Sequence, residues 1–253
     1  MTSVSNAAVG AYLAGNAAAK ARHGMNEAIA RLSTGVRAMY GGDAGGASAA
    51  MQIRADGKSA AIAARNIEDG ISFMQAGESL LLELAALNTR LRELRVQDLN
   101  ADTLSAGDEA AIAAEEDAVL AAGNLIDKAK FNGADLLGGT VAITYDHDGS
   151  MTTLSADATI TLADTSISVI DGMTTAIQKA LGNMAAGMSA LKGHQATNYA
   201  LAANFEAAAA RIADTDFARS SANLAKFSIL NQSAMAMVSQ ANQAQSAVLA
   251  GLQ

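Results

Sequence analysis

The sequence predicts a mainly α-helical chain: a long antiparallel bundle or coiled coil of N- and C-terminal helices, with a small β-hairpin insert. Three observations lead there. No proline occurs in 253 residues, where an average chain carries about 5%, and proline is what breaks helix interiors. Hydrophobic residues make up 51%, yet aromatics are only 4% and tryptophan is absent. Apolar contact must therefore come from alanine, the best helix former, and from leucine, isoleucine and methionine. Packing of such side chains adds up only over a long contact. Finally, apolar residues recur at helical spacing through both ends of the chain, while the middle alternates.

The first helix is expected over about 5–36. Met25, Ile29, Leu32 and Val36 form its seam, and Val9 and Leu13 extend it weakly through alanines. Four glycines among Tyr40-Gly41-Gly42-Asp43-Ala44-Gly45-Gly46 predict a non-helical joint. A long helix follows over about 47–100. Ile53, Ala60, Ile67, Met74 and Leu81 fall seven apart, and Leu80, Leu84, Leu87, Leu91 and Leu94 continue a 3-4 series, as in a coiled-coil seam. At about 1.5 Å per residue it would reach roughly 80 Å and need an equally long partner.

A turn over 100–108 offers Ser105 or Asp108 as the cap of the next helix, about 109–129, which carries Ile112, Val119 and Ile126 on one face. Phe131-Asn132-Gly133 ends the helical section. Residues 141–145 and 151–154 alternate around Asp146-His147-Asp148-Gly149, a β-hairpin signal, and Thr159–Leu162 reads as another short strand. Helical periodicity resumes at Ile170 and continues to Ile212. After Asp214 a last helix carries Leu224, Phe227, Ala234, Val238, Ala241, Val248 and Leu252 in one series. The simplest packing pairs the N-terminal helices with the C-terminal ones, both termini at one end of a rod and the insert at the other.

Several function classes are disfavoured. The net charge is −8, whereas nucleic-acid binding needs a basic surface. No apolar run approaches the roughly 20 residues that span a bilayer. Residues 1–15 lack the basic and apolar regions of a cleaved signal peptide. There is no cysteine, hence no disulfide and no thiolate metal site. His23, His147 and His194 are isolated from one another, so no metal-ligand spacing is present and no cofactor is expected. Asp146 and Asp148 read as a solvated turn and Glu115-Glu116-Asp117 as a solvated helix face. The glycine pairs do not make a phosphate-binding loop, the serines lack a neighbouring base, and the eleven methionines suit adaptable packing. No catalytic constellation is found.

Six segments, in order, resemble the bacterial flagellins. Arg31-Leu32-Ser33-Thr34-Gly35-Val36-Arg37 is similar to the end of that family's first helix. Asn66 through Asp69-Gly70-Ile71-Ser72 resembles N-x-x-D-G-I-S, and Arg90 through Arg92-Glu93-Leu94 to Val96-Gln97 resembles R-x-R-E-L-x-V-Q. Phe131-Asn132-Gly133 resembles the F-N-G before the central region. Arg211-Ile212 through Asp214, Asp216-Phe217-Ala218 resembles R-I-x-D-x-D-(F/Y)-A, and Gln240-Ala241-Asn242-Gln243 the terminal Q-A-N-Q. The match covers residues 1–139 and 173–253. The short uncovered middle leaves no room for the variable outer domains that the family inserts there. Gly42-Asp43-Ala44-Gly45-Gly46 departs from the family's paired Asp-Asp and Ala-Ala-Gly, and the chain ends without paired leucines.

The resemblance implies a non-enzymatic subunit of the bacterial flagellar filament, serving motility. It would be secreted through the flagellar export apparatus without a cleaved signal peptide, and would lie outside the cell. It implies an inner tube built from 1–46 (helix and joint) and 214–253, and an outer tube from 47–139 and 171–213, with 140–170 as the insert. Self-association would use Met25, Ile29, Leu32 and Val36 with Leu224, Phe227, Val238, Val248 and Leu252. Implied partners are copies of itself, alone or mixed with other flagellins, the flagellar cap and junction proteins, and an export chaperone at the C-terminal helix. In some flagellins the segment matching Arg90, Arg92, Glu93, Leu94 and Gln97 meets an innate immune receptor, or a neighbouring protofilament. The alternative reading is a hook–filament junction protein, similar at both ends, which would close into a short ring. A secretion-needle or tip protein would not carry the six ordered motifs.

Overall fold

The computed structural model describes residues 2–37, 42–155 and 165–250. Among the described residues five helices dominate: α1 (Thr2–Thr34), α2 (Ala44–Asp98), α3 (Ala106–Asp127), α4 (Ile167–Ala213) and α5 (Phe217–Ala250). Among them too, four short strands lie between α3 and α4, β1 (Lys130–Phe131), β2 (Ala134–Asp135), β3 (Thr140–Thr144) and β4 (Met151–Ser155). They make two antiparallel hairpins, β1 with β2 and β3 with β4. The expected strand over Thr159–Leu162 lies outside the described residues. The chain divides into two compact units, Met1–Arg54 with Phe205–Gln253, and Ala55–Asn204.

Four helix boundaries have a clear local cause. Gly35, at φ +71°, ends α1, and its N–H donates to the Arg31 carbonyl, a left-handed stop that glycine adopts without strain. Asp43 starts α2: its carboxylate accepts the Gly46 N–H at 2.8 Å. The expected joint therefore ends earlier than the glycines suggest, because Gly45 and Gly46 sit in the first turn of α2 beneath an aspartate cap. A β-carbon on Gly46 would collide with that carboxylate. Ser105 and Asp108 both serve α3, as the two halves of a capping box. Asp216 caps α5 by accepting the Arg219 N–H at 3.0 Å.

The unit over Ala55–Asn204 holds the large apolar core. The heptad series reads true there: Ala60, Ile67, Met74 and Leu81 are all 2% exposed or less. Leu84, Leu91 and Leu94 continue the face, and Ile170, Ile177, Met184 and Leu191 of α4 pack in the same cluster with Val119 of α3. Methionines and glycines interlock across α2 and α4. The Met74 methyl fills the space beside Gly187, and Met184 fills that beside Gly77. Polar ties fix the same pair, Asn88 donating to the Ile170 carbonyl at 3.2 Å and to Thr174 Oγ1 at 2.8 Å.

The β3–β4 hairpin has the register the alternation predicts, with Val141 opposite Leu154 and Thr144 opposite Met151. Ile143 and Leu154 turn inward and press on α2 at Gly70, where a β-carbon would approach each to 3.1 Å. Asn198 of α4 donates to the Tyr145 carbonyl at 2.7 Å. The β1–β2 hairpin is an Asn-Gly turn, Asn132 at φ 49° and Gly133 at φ 84°, the two positive values a tight hairpin demands. Lys130 and Asp135 pair across it at 2.9 Å, and Phe131 meets Phe73 edge-on.

Candidate self-association surface

In the unit formed by residues 1–54 and 205–253, α1 and α5 lie side by side and antiparallel. Their seam is made of small residues. Ala18, Ala21 and Ala28 of α1 are 2–4% exposed and Ala234 of α5 is 7% exposed. Small side chains let two backbones approach closely, so many weak contacts accumulate. A large side chain also enters this seam. Phe227 lies against Gly24, its ring atoms 2.6–2.7 Å from where a β-carbon would stand.

The expected association residues divide between this seam and solvent. Met25, Leu32 and Val36 of α1, and Leu224, Phe227 and Val238 of α5, are half-buried, while Ile29 is exposed. The side chain of Val248 and all of Leu252 lie outside the described residues. Other apolar side chains are more exposed: Val9 and Leu13, to which the spacing extended the seam, and Tyr12, Ile229 and Met237, which it did not single out. Tyr12 is 71% exposed, Leu13 62% and Val9 53% on α1, and Ile229 is 63% and Met237 59% on α5. At about 100° per residue, Val9, Tyr12 and Leu13 share the face of α1 away from the alanine seam. The two helices are also poor in acid. They carry Lys20, Arg22, Arg31, Arg219 and Lys226 against Glu27, in a chain whose net charge is −8.

A joint secures this pair. The segment after α1 and the segment before α5 form a β-bridge at Val36 and Asp214. The Arg37 N–H donates to the Ala213 carbonyl at 2.7 Å and the Thr215 N–H to the Gly35 carbonyl at 2.8 Å. Arg37 also donates from Nε to the Ile212 carbonyl and from Nη2 to Asp43. The Gly46 N–H and then Arg37 hold the Asp43 carboxyl below its ordinary range. Arg54 of α2 pairs with Asp214 at 3.1 Å and Glu206 at 3.6 Å.

The second predicted surface lies on α2. Arg90 binds Glu115 of α3 through Nε and Nη2, at 2.8 and 2.6 Å, and Glu93 at 3.0 Å. These bonds, Glu115 first, raise the guanidinium pKa further above its ordinary value. Arg92 pairs with Asp171 of α4 at 2.8 Å. Arg90, Arg92, Glu93 and Gln97 are exposed, whereas Leu94 is 1% exposed and packs in the core. Glu115, the acidic partner on α3, becomes identifiable only when α3 folds back on α2.

Glu116 departs from the expected solvated face. It is 8% exposed, and its Oε1 has no hydrogen-bond partner among the described residues. Burial raises its pKa, opposed by Arg95 and reinforced by Asp98. His147 lies 2.6 Å from Asp146 in the β3–β4 turn, and the Ser150 hydroxyl and N–H lower the Asp148 pKa. Among the described residues no group of three or more His, Asp or Glu side chains is placed to hold a metal ion. Nor, among them, is any helix long and apolar enough to cross a membrane.

Known proteins share both halves of this architecture. Residues 6–142 match the bacterial flagellin N-terminal helical region and residues 167–252 the bacterial flagellin C-terminal helical region. A flagellin of Halalkalibacterium halodurans is 32% identical over 246 residues, covering 88% of this chain and 90% of its own. Flagellin FlaB2 of Treponema pallidum is 30% identical over 257 residues, with 87% and 90% covered. A flagellin of Bacillus subtilis is 26% identical over 268 residues, with 84% and 88% covered.

Proposed function

The chain belongs to the bacterial flagellin family, and from that membership we propose how its parts serve the assembled polymer. It is a structural, non-enzymatic subunit of the extracellular flagellar filament, which polymerises with copies of itself and serves motility. In our reading, residues 1–46 and 214–253 form the inner layer of the filament. Residues 47–139 and 171–213 form the surrounding layer, with 140–170 as a small insert on it.

The observation that carries this reading is the apolar surface of the α1–α5 pair. Val9, Tyr12 and Leu13 on α1 and Ile229 and Met237 on α5 are each more than half exposed. Monomeric proteins rarely leave such groups of side chains in water, and contiguous ones mark association sites. Neighbouring copies would cover them, together with the exposed Ile29 and the half-buried Met25, Leu32, Val36, Leu224, Phe227 and Val238. A head-to-tail contact whose rotation does not close generates an open helical polymer.

The finer partners follow the same logic. The C-terminal segment 214–253 would be held by an export chaperone before assembly, because its apolar side chains have no cover then. Cap and junction proteins would meet the ends of the polymer. Arg90, Arg92, Glu93 and Gln97 form the surface presented to a neighbouring protofilament or an innate immune receptor, with Leu94 supporting it from beneath.

Seeding tests the layer assignment. Purified protein added to filament fragments should extend them into long tubes with a central channel in electron micrographs. Charge placed at Leu13 or Ile229 should block growth. Full growth of such variants would overturn the assignment of α1 and α5.

A further inference from the structure

We propose that Met235 of α5 is a site of oxidation by peroxide, and that Arg22 of α1 holds the sulfoxide formed there. The chain has no cysteine, so all of its sulfur lies in eleven methionine thioethers. Exposure divides them. Met74, Met173 and Met184 are 7% exposed or less, whereas Met51, Met151, Met235 and Met237 are 53–74% exposed. A peroxide in solution reaches the second group and not the first.

Met235 differs from the other three in what faces its sulfur. Arg22 donates from Nη2 to Met235 Sδ at 4.0 Å, across the α1–α5 pair. Among the described residues no donor reaches the sulfur of Met51, Met151 or Met237, and Arg22 has no ion-pair partner. A thioether is a weak acceptor, so the contact adds little in the reduced protein. Oxidation changes the acceptor. A sulfoxide oxygen on the side facing Arg22 enters the range of about 2.7–3.2 Å in which N–H···O bonds form. A bond donated by a guanidinium is about twice as strong as one between neutral groups. Elsewhere a methionine sulfoxide places a polar group in an apolar contact. At Met235 it meets a charged donor already in position.

Peroxide is the one co-reactant the step needs. The sulfur lone pair attacks one peroxide oxygen, and the S–O bond forms as the O–O bond breaks. The departing oxygen keeps the O–O electron pair, takes the proton shed by the first oxygen, and leaves as water. Sulfur is oxidised by two electrons and the peroxide is reduced by two. The product fastens α5 to α1, where oxidation of an unattended methionine would loosen its surroundings.

Hydrogen peroxide added to the purified full-length monomer tests the site, read by peptide mass mapping and amide hydrogen exchange. Met235 should be oxidised at least about tenfold faster than the buried Met184. Replacing Met51, Met151 and Met237 by leucine, a swap of similar volume, isolates Met235. In that background oxidation should slow exchange over residues 18–28 and 228–238, where α1 and α5 open locally. The expected slowing is about tenfold, the usual worth of one bond to a charged group. Arg22→Leu should abolish the slowing and leave exchange of the reduced protein nearly unchanged, and Arg22→Lys should restore part of it. Arg22 is exposed and leucine forms helix as well as arginine does, so helix content by circular dichroism should hold in both variants. Oxidation that speeds exchange, or slows it equally in Arg22→Leu, overturns the proposal. So does a Met235 that reacts no faster than Met184.

Discussion

The ring of Phe227 occupies the space that a side chain on Gly24 would need, with three ring carbons 2.6–2.7 Å from the position of a β-carbon. Both residues lie on the seam that Ala18, Ala21, Ala28 and Ala234 help to line. Glycine within a helix costs up to about 1 kcal/mol relative to alanine. Gly24→Val should nevertheless destabilise the α1–α5 pair by about 2 kcal/mol, because overpacking outweighs any gain in helix propensity. Phe227→Leu should recover part of that loss. Denaturant unfolding of the two single variants and the double variant measures the coupling, and simple additivity would count against the fit.

Leu91 is fully buried where α2 meets the common core. Leu91→Ala should cost about 3 kcal/mol, the sum of lost transfer energy and an incompletely closed cavity. Leu82, 56% exposed one face away, should tolerate alanine within about 0.5 kcal/mol. Thermal unfolding of the two variants makes the comparison.

Glu116 should make the α2–α3 hairpin sensitive to pH. Burial raises its folded pKa above the unfolded value, which lies near ~4.3. Folding then takes up a proton between the two values. The stability contributed by the neutral acid is complete below the unfolded pKa and is lost as pH rises through the folded one. Glu116→Gln should therefore stabilise the protein at neutral pH by about 1 kcal/mol, and by less in acid. Unfolding curves at pH 4 and pH 7 read this difference, and an equal effect at both would remove Glu116 as its source.

Leu13 and Ile229 are 62% and 63% exposed on α1 and α5. Leu13→Asp and Ile229→Asp should leave the thermal midpoint within about 3 °C, as exposed substitutions usually do. Seeded elongation should slow at least about tenfold, since each charge must be desolvated in an apolar contact. Light scattering during seeding, read beside circular dichroism of the unseeded protein, separates association from folding.

Much of the fold was legible because period and physics agree. The heptad from Ala60 to Leu81 fills the core as its spacing requires, and the alternation around residues 146–149 fixes the β3–β4 register. Two features escaped for opposite reasons. The β1–β2 hairpin carries a clear Asn-Gly turn, but its strands are two residues each, too short for alternation to register. Glu116 sits in a run of acids that reads as solvated, and it is buried only once α2 and Thr165 come against it. The surface was harder still. A search for large apolar side chains finds Met25, Leu32 and Val36, whereas the closest contact uses Ala18, Ala21, Ala28 and Gly24. Small residues leave little trace in a hydrophobic pattern, even where they decide how near two helices come.

The β-bridge between Val36 and Asp214 sits at the same end of the α1–α5 pair as Phe227 and Gly24. Ala18, Ala21 and Ala234, farther from the bridge, are small side chains that do less to set the register. Alignment of the two helices is thus dictated from the joint outward, like a zip anchored at its base.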